Sequence, residues 1–183
     1  MTDECMLGSP KYKRIPGDFY PTPQWVTEIL MGRVDLRDAV WEPACGEGHM
    51  STVLMNGLFV YSSDISAVSF DHPGTDFLRC RELPFGVRSI VTNPPYSLAE
   101  EFVRHALRLT EPVGGQVCML LNRLWDTAKT RKDLFEHPAF QKQIVITKRI
   151  QWIPGELKAS PRQNHMWCVW DWQHTGPKTL EWA

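Results

Sequence analysis

The sequence of 183 residues lacks several features that would assign a protein to a class at once. No stretch approaches the roughly 18 apolar residues that a membrane-spanning helix needs. Residues 1–13 begin with acidic side chains and have no long apolar core, so we expect no signal peptide. We find no internal repeat and no low-complexity tract. A chain of this length with 43% hydrophobic residues predicts one domain with a sizeable core, and without a signal peptide or membrane span we expect it in the cytoplasm.

Cysteine pairs are also missing. The cysteines are odd in number and scattered without any C-x-x-C spacing, at Cys5, Cys45, Cys80, Cys118 and Cys168. This pattern argues against a zinc site and against a disulfide framework, and it favours a reducing compartment. We therefore expect a site that contains no metal.

The chain has no large net charge, since 20 Lys and Arg balance 21 Asp and Glu. The distribution is uneven, because residues 123–162 contain nine basic and four acidic residues. A basic surface of this kind is compatible with contacts to phosphate, for which our candidates are Arg123, Arg149 and Arg162. Ordinary solvated helix faces explain the same charges equally well.

The most informative stretch is Asn93-Pro94-Pro95-Tyr96. Residues 89–92 before it predict a buried strand, and residues 98–109 after it predict a helix with Ser97 as its N-cap. Two prolines end strand pairing at the carboxyl end of a strand, where ligands bind in open α/β sheets. The Asn93 oxygen and the Pro94 carbonyl can both accept hydrogen bonds from an exocyclic amine, and Tyr96 can lie against a planar ring.

This motif resembles the Asn-Pro-Pro-Tyr motif of the S-adenosylmethionine-dependent amino-methyltransferases. Enzymes of that family methylate adenine N6 in DNA and, in some branches, adenine in RNA or a glutamine in a protein. The resemblance implies that Asn93, Pro94, Pro95 and Tyr96 are the catalytic motif, that S-adenosyl-L-methionine is the cofactor and that Asn93 also contacts it. It also implies a flipped-out target base that stacks on Tyr96.

A glycine turn lies upstream of this motif. A strand predicted at residues 39–41 leads into Glu42-Pro43-Ala44-Cys45-Gly46-Glu47-Gly48, and a helix is predicted at 49–56. Glu42 would repel a pyrophosphate, so the turn suits a cationic group such as the amino group of a methionine moiety. It also matches the family's Asp/Glu-Pro-x-x-Gly-x-Gly cofactor loop. That match implies cofactor contacts from Glu42, Pro43, Ala44, Cys45, Gly46 and Gly48.

Two acids complete the expected cofactor site. Asp64 follows a strand predicted at 58–62 and can bind both ribose hydroxyls, while a helix cap is the compatible alternative. Ile65 is then a candidate for packing on the cofactor's adenine. In the family, an Asp-Phe pair at the third strand binds that adenine, and Asp76 and Phe77 are in register for it. A surface acid and a core phenylalanine are the alternatives.

The segment Tyr20-Pro21-Thr22-Pro23 predicts a helix start, with Thr22 as N-cap, Pro23 in the first position and Gly32 at the end. It also resembles the family's Tyr-x-Thr-Pro segment, which closes over the methionine end of the cofactor. That resemblance implies cofactor contacts from Tyr20, Thr22 and Pro23.

The second half of the chain predicts a strand buried on both faces at 116–122 and an antiparallel pair at 144–146 and 166–170. An irregular loop joins the last two strands. In the family, an aromatic residue after the penultimate strand stacks on the target base opposite the motif's tyrosine. Trp152 is our candidate, and a tryptophan that only buries the loop is the alternative.

Together these patterns predict an α/β fold, namely a single Rossmann-like class I methyltransferase domain. We expect a mostly parallel seven-stranded sheet with an antiparallel C-terminal hairpin strand and helices on both faces. Residues 1–16 are expected to form a flexible arm, 17–172 the catalytic domain with a substrate-contacting region at 123–164, and 173–183 a tail.

Adenine N6 in single- or double-stranded DNA is the leading substrate expectation. The chain has little room for target recognition beyond residues 123–164, so we expect relaxed specificity or the help of a partner chain. RNA adenine and protein glutamine N5 are the enzymatic alternatives, and a degenerate cofactor- or DNA-binding module is the non-enzymatic one. By resemblance, a stand-alone enzyme of this size is similar to methylases of phages and prophages.

Overall fold

The computed structural model of the chain describes residues 20–37, 39–152 and 163–183. Its strands are β1 Ala39–Glu42, β2 Phe59–Asp64, β3 His72–Pro73, β4 Ser89–Thr92, β5 Gln116–Asn122, β6 Phe140–Ile146, β7 His165–Asp171 and β8 Thr179–Trp182. The α-helices in this part of the chain are α1 Gln24–Met31, α2 His49–Leu54, α3 Ala99–Thr110 and α4 Lys132–Glu136.

All of these strands belong to one sheet with the order β3-β2-β1-β4-β5-β7-β6-β8. Strands β1 to β5 pair in parallel, whereas β7 runs antiparallel between β5 and β6. The chain moves outward from β1 to β3 and then places β4 on the other side of β1. The strand order therefore reverses between β1 and β4, and a crevice forms beyond the carboxyl ends of strands at such a point.

The central strands are buried on both faces, as the unbroken apolar run of β5 predicts. Val117 and Met119 face a core that contains Phe102 and Ala106 of α3. Cys118 and Leu120 face the opposite core, with residues of α1 and α2. Two buried tryptophans of β7 fix the same two layers, because the Trp167 indole donates to the Val26 carbonyl (2.9 Å) and the Trp170 indole donates to the Leu134 carbonyl (2.8 Å).

The α/β architecture and the antiparallel pairing of β6 with β7 are confirmed. The strand count differs from the expected seven, because the segment that we expected to be a tail contributes β8. This strand pairs in parallel with β6, and the Lys142 ammonium reaches the Glu181 carboxylate at 2.8 Å. The four residues of β8 are mostly exposed, so they lack the apolar alternation that reveals a strand in sequence.

Three predicted local structures are wrong. Pro23, not Thr22, precedes α1, because the Thr22 hydroxyl is used in a long-range hydrogen bond instead. Leu98, not Ser97, precedes α3, since the chain after Pro95 first forms a short 3₁₀ turn. Residues 76–78 do not open a strand. The Asp76 carboxylate caps a 3₁₀ turn by accepting from the Leu78 amide at 3.1 Å.

Within the described residues, no helix is long and apolar enough to cross a membrane.

Candidate functional site

A cavity of about 400 Å³ lies at the crevice between β1 and β4, and we call it the strand-edge cavity. It brings together most of the residues predicted from sequence to bind a cofactor. Those that line it are Tyr20, Thr22, Glu42, Pro43, Ala44, Cys45, Gly46, Asp64, Ile65, Asp76, Phe77 and Asn93. Pro95 also lines the cavity, whereas Pro23, Gly48, Pro94 and Tyr96 lie outside its lining.

The glycine turn forms one wall of the cavity. Gly46 and Gly48 both have positive φ, 50° and 81°, and the Gly46 carbonyl accepts from the Phe70 amide at 2.8 Å. A Cβ built on Gly48 would lie 2.3 Å from Cγ of Phe70, too close for any carbon contact. Gly48 is therefore required for packing as well as for backbone conformation. The Cys45 thiol in this turn is buried, which raises its pKa to about 11 and keeps it protonated.

Replacing Gly48 by alanine should lower the free energy of unfolding by about 2–4 kcal/mol, since the left-handed conformation costs about 1 kcal/mol and the clash with Phe70 adds to it. Gly86→Ala is the matched control. Gly86 has φ 80°, and nothing lies within 4 Å of a Cβ built there. Urea unfolding gives the loss of stability in each variant, and the difference between the two losses is the contribution of the clash with Phe70. Equal losses would mean that Phe70 moves away freely.

Asp64 ends β2 and holds the glycine turn in place. One carboxylate oxygen accepts from the Gly46 amide at 2.9 Å, and the other accepts from the Ser66 amide at 2.7 Å. Each carboxylate oxygen can accept a further hydrogen bond, so the group keeps acceptor capacity toward the cavity that it lines. Asp64 therefore does not cap a helix, which was the alternative role; its carboxylate stabilises a local turn at Ser66 instead.

Glu42 is a buried acid at the end of β1, with 2% of its surface exposed. Desolvation raises the pKa of its carboxyl group to about 8, a hydrogen bond from the Ser51 hydroxyl acts in the opposite direction, and the charge of Asp64 adds to the rise. The Ser51 hydroxyl also lies 2.7 Å from that of Ser62, so three polar side chains form a buried chain. Burial thus favours the protonated form of Glu42 at neutral pH, and a cation placed beside the carboxyl group would favour the ionised form.

Asn93 follows β4 and is held by its amide nitrogen. Its Nδ2 donates to the Thr22 hydroxyl at 3.2 Å and to the Tyr20 carbonyl at 3.5 Å. Since a carbonyl only accepts, these contacts define which side of the amide is the oxygen. That oxygen, Oδ1, is buried and has no hydrogen-bond partner. A buried acceptor without a partner costs about 1–3 kcal/mol, so a hydrogen-bond donor that reached this oxygen would bind favourably.

Four aromatic side chains beside Asn93 form a closed ring of contacts, which we call the aromatic box: Tyr20, Tyr96, Trp152 and His165. Tyr20 lies 5.8 Å from Tyr96 and 5.7 Å from Trp152, measured between ring centroids. His165 completes the box at 6.1 Å from Tyr96 and 5.1 Å from Trp152. Tyr96 and Trp152, the two predicted base-stacking residues, therefore occupy opposite corners.

Comparisons with known proteins identify the fold of this chain. No protein-family model matches the chain, and no curated protein matches its sequence. Among solved structures, a protein assigned as a modification subunit of a type I restriction enzyme from Vibrio vulnificus YJ016 is 16% identical, with a TM-score of 0.57 over 89% of this chain. The present chain spans about half of that subunit, 46% of its length.

Two further structures cover this chain similarly. A protein assigned as an RNA methyltransferase from Pyrococcus horikoshii has a TM-score of 0.56 at 11% identity, covering 81% of this chain and 80% of its own. A protein assigned as a hemolysin from Lactococcus lactis has the same TM-score at 9% identity, covering 87% of this chain and 89% of its own. The chain has the class I methyltransferase fold. At these identities the likeness concerns the fold alone.

Within the methyltransferase fold, four of the nine basic residues of segment 123–162 form ion pairs with acids. Arg123 pairs with Asp126 at 3.0 Å, and other pairs join Lys132 to Glu136, Arg131 to Glu100 and Lys142 to Glu181. Neither Arg123 nor the exposed Arg149 lines the strand-edge cavity, and Arg162 lies outside the described residues. Contact of these arginines with a substrate stays a prediction.

Sequence patterns missed some parts of the site. Ser66, Val68, Leu98 and Phe102 line the cavity, and His165 belongs to the aromatic box. Val68 could have been found as Ile65 was, because apolar residues directly after a strand end in a polar turn suggest a role other than core packing; its side chain is 88% exposed. His165 gave no signal, since its partners lie far away along the chain.

Proposed function

We propose that this protein transfers a methyl group from S-adenosyl-L-methionine to the exocyclic N6 amine of adenine in DNA. The observation that carries the proposal is the buried Oδ1 of Asn93, which has no partner and belongs to a residue lining the strand-edge cavity. An exocyclic amine is the donor that this oxygen lacks.

The cavity suits S-adenosyl-L-methionine in size and in the chemistry of its lining. Its volume lies in the range of small-molecule sites. Glu42 would hold the amino group, Asp64 the ribose hydroxyls, and Ile65, Val68 and Phe77 the adenine. When bound, the cofactor supplies an electrophilic methyl group on a sulfonium.

The residues of the motif would position the nucleophile. The adenine amine is weakly nucleophilic because its lone pair is delocalised into the ring. Hydrogen bonds to the Asn93 oxygen and the Pro94 carbonyl favour a tetrahedral nitrogen, whose lone pair is then available. Because Nδ2 of Asn93 is held by Thr22 and Tyr20, the oxygen has a fixed direction before substrate binds. The chain thus contributes orientation, not acid–base catalysis.

The aromatic box would receive the target base. Tyr20 now contacts both Tyr96 and Trp152, the two side chains expected to stack on the base. Ring spacings of 5.7 and 5.8 Å leave no room for a further planar group, so the Tyr20 ring has to move when the base enters. Tyr20 also lines the strand-edge cavity, which links base binding to the cofactor site.

Replacing Tyr96 by alanine should remove stacking worth about 1–3 kcal/mol, and the KM for DNA should rise by about 5- to 150-fold. Cofactor affinity should stay within about twofold, because Tyr96 does not line the strand-edge cavity. Steady-state kinetics and calorimetric titration with S-adenosylhomocysteine measure the two quantities. An equal loss of cofactor affinity would contradict this division of the site.

Support for DNA comes from the modification subunit that shares the fold. RNA adenine is the second candidate, because the archaeal protein assigned as an RNA methyltransferase shares the fold over most of its own length. Recognition of a specific sequence would require a partner chain or the residues of segment 123–164.

The decisive experiment supplies methyl-labelled S-adenosyl-L-methionine together with duplex DNA, single-stranded DNA, RNA or protein. Nucleoside analysis then separates N6-methyladenine from N4-methylcytosine. We expect label in N6-methyladenine of DNA. Label confined to RNA would select the second candidate. The absence of label from every nucleic acid would refute nucleic-acid methylation.

A further inference from the structure

His165 is the buried corner of the aromatic box and the start of β7. Only 2% of its surface is exposed, whereas the opposite corner, Tyr20, is partly exposed. Its Nε2 lies 2.9 Å from the Tyr96 hydroxyl, and its ring meets the Trp152 ring edge-on at 79°. One rigid side chain thus contacts both residues that are expected to stack on the base.

The second ring nitrogen of His165 is buried and poorly satisfied. No hydrogen bond of good geometry from the described part of the chain reaches it, although the backbone of Gln163 interacts with the ring and favours its protonation. The firm polar contact of this ring is therefore the one between Nε2 and the Tyr96 hydroxyl. Burial also lowers the pKa of the imidazole to about 4, which keeps the ring neutral and the contact with Tyr96 intact at neutral pH.

We infer that His165 is a positioning residue that fixes the Tyr96 and Trp152 rings as the two walls of the base site. This inference rests on the proposed function and adds a residue that no pattern in the sequence indicated. The Tyr20 ring, which contacts both walls, occupies the place of the base until substrate arrives. The walls of the base site are therefore in position before the substrate binds, and the target base takes the place of the Tyr20 ring.

The test compares His165→Phe, Tyr96→Phe and the double variant. Phenylalanine keeps the ring at position 165 but removes its hydrogen bond, and Tyr96→Phe removes the same bond from the other side. Each single variant should lower kcat/KM for DNA by about tenfold, mainly through KM. The double variant should fall no further, because both changes break one contact. His165→Gln, which retains a hydrogen-bonding group, should recover part of the loss.

His137→Phe is the matched control. His137 also meets a tryptophan edge-on, Trp172 at 5.0 Å and 88°, and burial also lowers its pKa. His137 belongs neither to the lining of the strand-edge cavity nor to the aromatic box. The kcat/KM of His137→Phe should therefore stay within about twofold of the parent value. Thermal unfolding accompanies every variant. His165→Phe should unfold at a temperature close to that of Tyr96→Phe, because both variants lose the same hydrogen bond.

A second probe separates this inference from the proposed function. Quenching of 2-aminopurine deoxyriboside monophosphate fluorescence reports stacking of a base whether or not methyl is transferred. If the parent chain methylates nothing but quenches the probe, and His165→Phe weakens quenching, the positioning role stands and the proposed reaction fails. Additive losses, unchanged kcat/KM in His165→Phe, or a parent chain that neither methylates nor quenches would each overturn the positioning role.

Discussion

Replacing Asn93 by alanine is expected to reduce methyl transfer by at least about a hundredfold, because the substitution removes the acceptor that orients the amine. Cofactor affinity should change by less than about threefold, since Asn93 is one of many residues lining the strand-edge cavity. Single-turnover rates at saturating cofactor measure the first quantity, and calorimetric titration with S-adenosylhomocysteine measures the second.

Asn122→Ala is the matched control for this experiment. Asn122 also ends a parallel strand, but both ends of its amide are already used. Nδ2 donates to Gln163 at 2.7 Å, and Oδ1 accepts from the Leu124 amide at 2.8 Å. The single-turnover rate of Asn122→Ala should remain within about threefold of the parent rate. If Asn93→Ala kept the parent rate, the proposed mechanism would be wrong.

Replacing Glu42 by glutamine is expected to change cofactor affinity and protein stability in opposite directions. Loss of the carboxylate should weaken binding of the cationic cofactor by about tenfold or more, since a charge-assisted hydrogen bond is replaced by a neutral one. The same change removes an acid that is buried at 2% exposure, so the variant should be more stable than the parent chain in alkaline solution.

The pH dependence follows from the raised pKa of Glu42. Between its ordinary value of 4.5 and its folded value of about 8, the folded chain retains a proton that the unfolded chain has lost. The contribution of Glu42 to the free energy of unfolding is therefore full below pH 4.5 and is lost as the pH rises through about 8. The stability gain of Glu42→Gln should thus grow from pH 5 to pH 9. Urea titrations across this range measure it, and a constant gain would contradict the raised pKa.

Much of the lining of the strand-edge cavity was predictable because its residues lie in short motifs at strand ends. Glu42, Gly46, Asp64 and Asn93 each follow a strand that an apolar run identifies, and parallel strands bring their carboxyl ends to one edge. The sequence does not reveal how such a residue is used locally. Asp76, for example, caps a turn that no periodicity distinguishes from a strand opening.

Contacts between distant segments account for what the sequence did not predict. The Thr22 hydroxyl was expected to cap α1, but it accepts from Asn93, and no local pattern reports a partner 71 residues away. His165 meets Tyr96 across 69 residues for the same reason. The pairing of β8 depends on the exposed edge of β6, which is a property of the assembled sheet and not of the tail itself.

The position of β8 also determines which backbone groups are exposed at this edge of the sheet. Without it, β6 would offer a seven-residue edge of unpaired backbone groups, the kind of surface on which another chain can add a strand. The outermost strand is instead only four residues long and is preceded by Pro177 and Lys178, which discourage continued pairing. β8 thus covers the edge of β6 from Lys142 to Val145 and leaves a shorter edge strand on this side of the sheet.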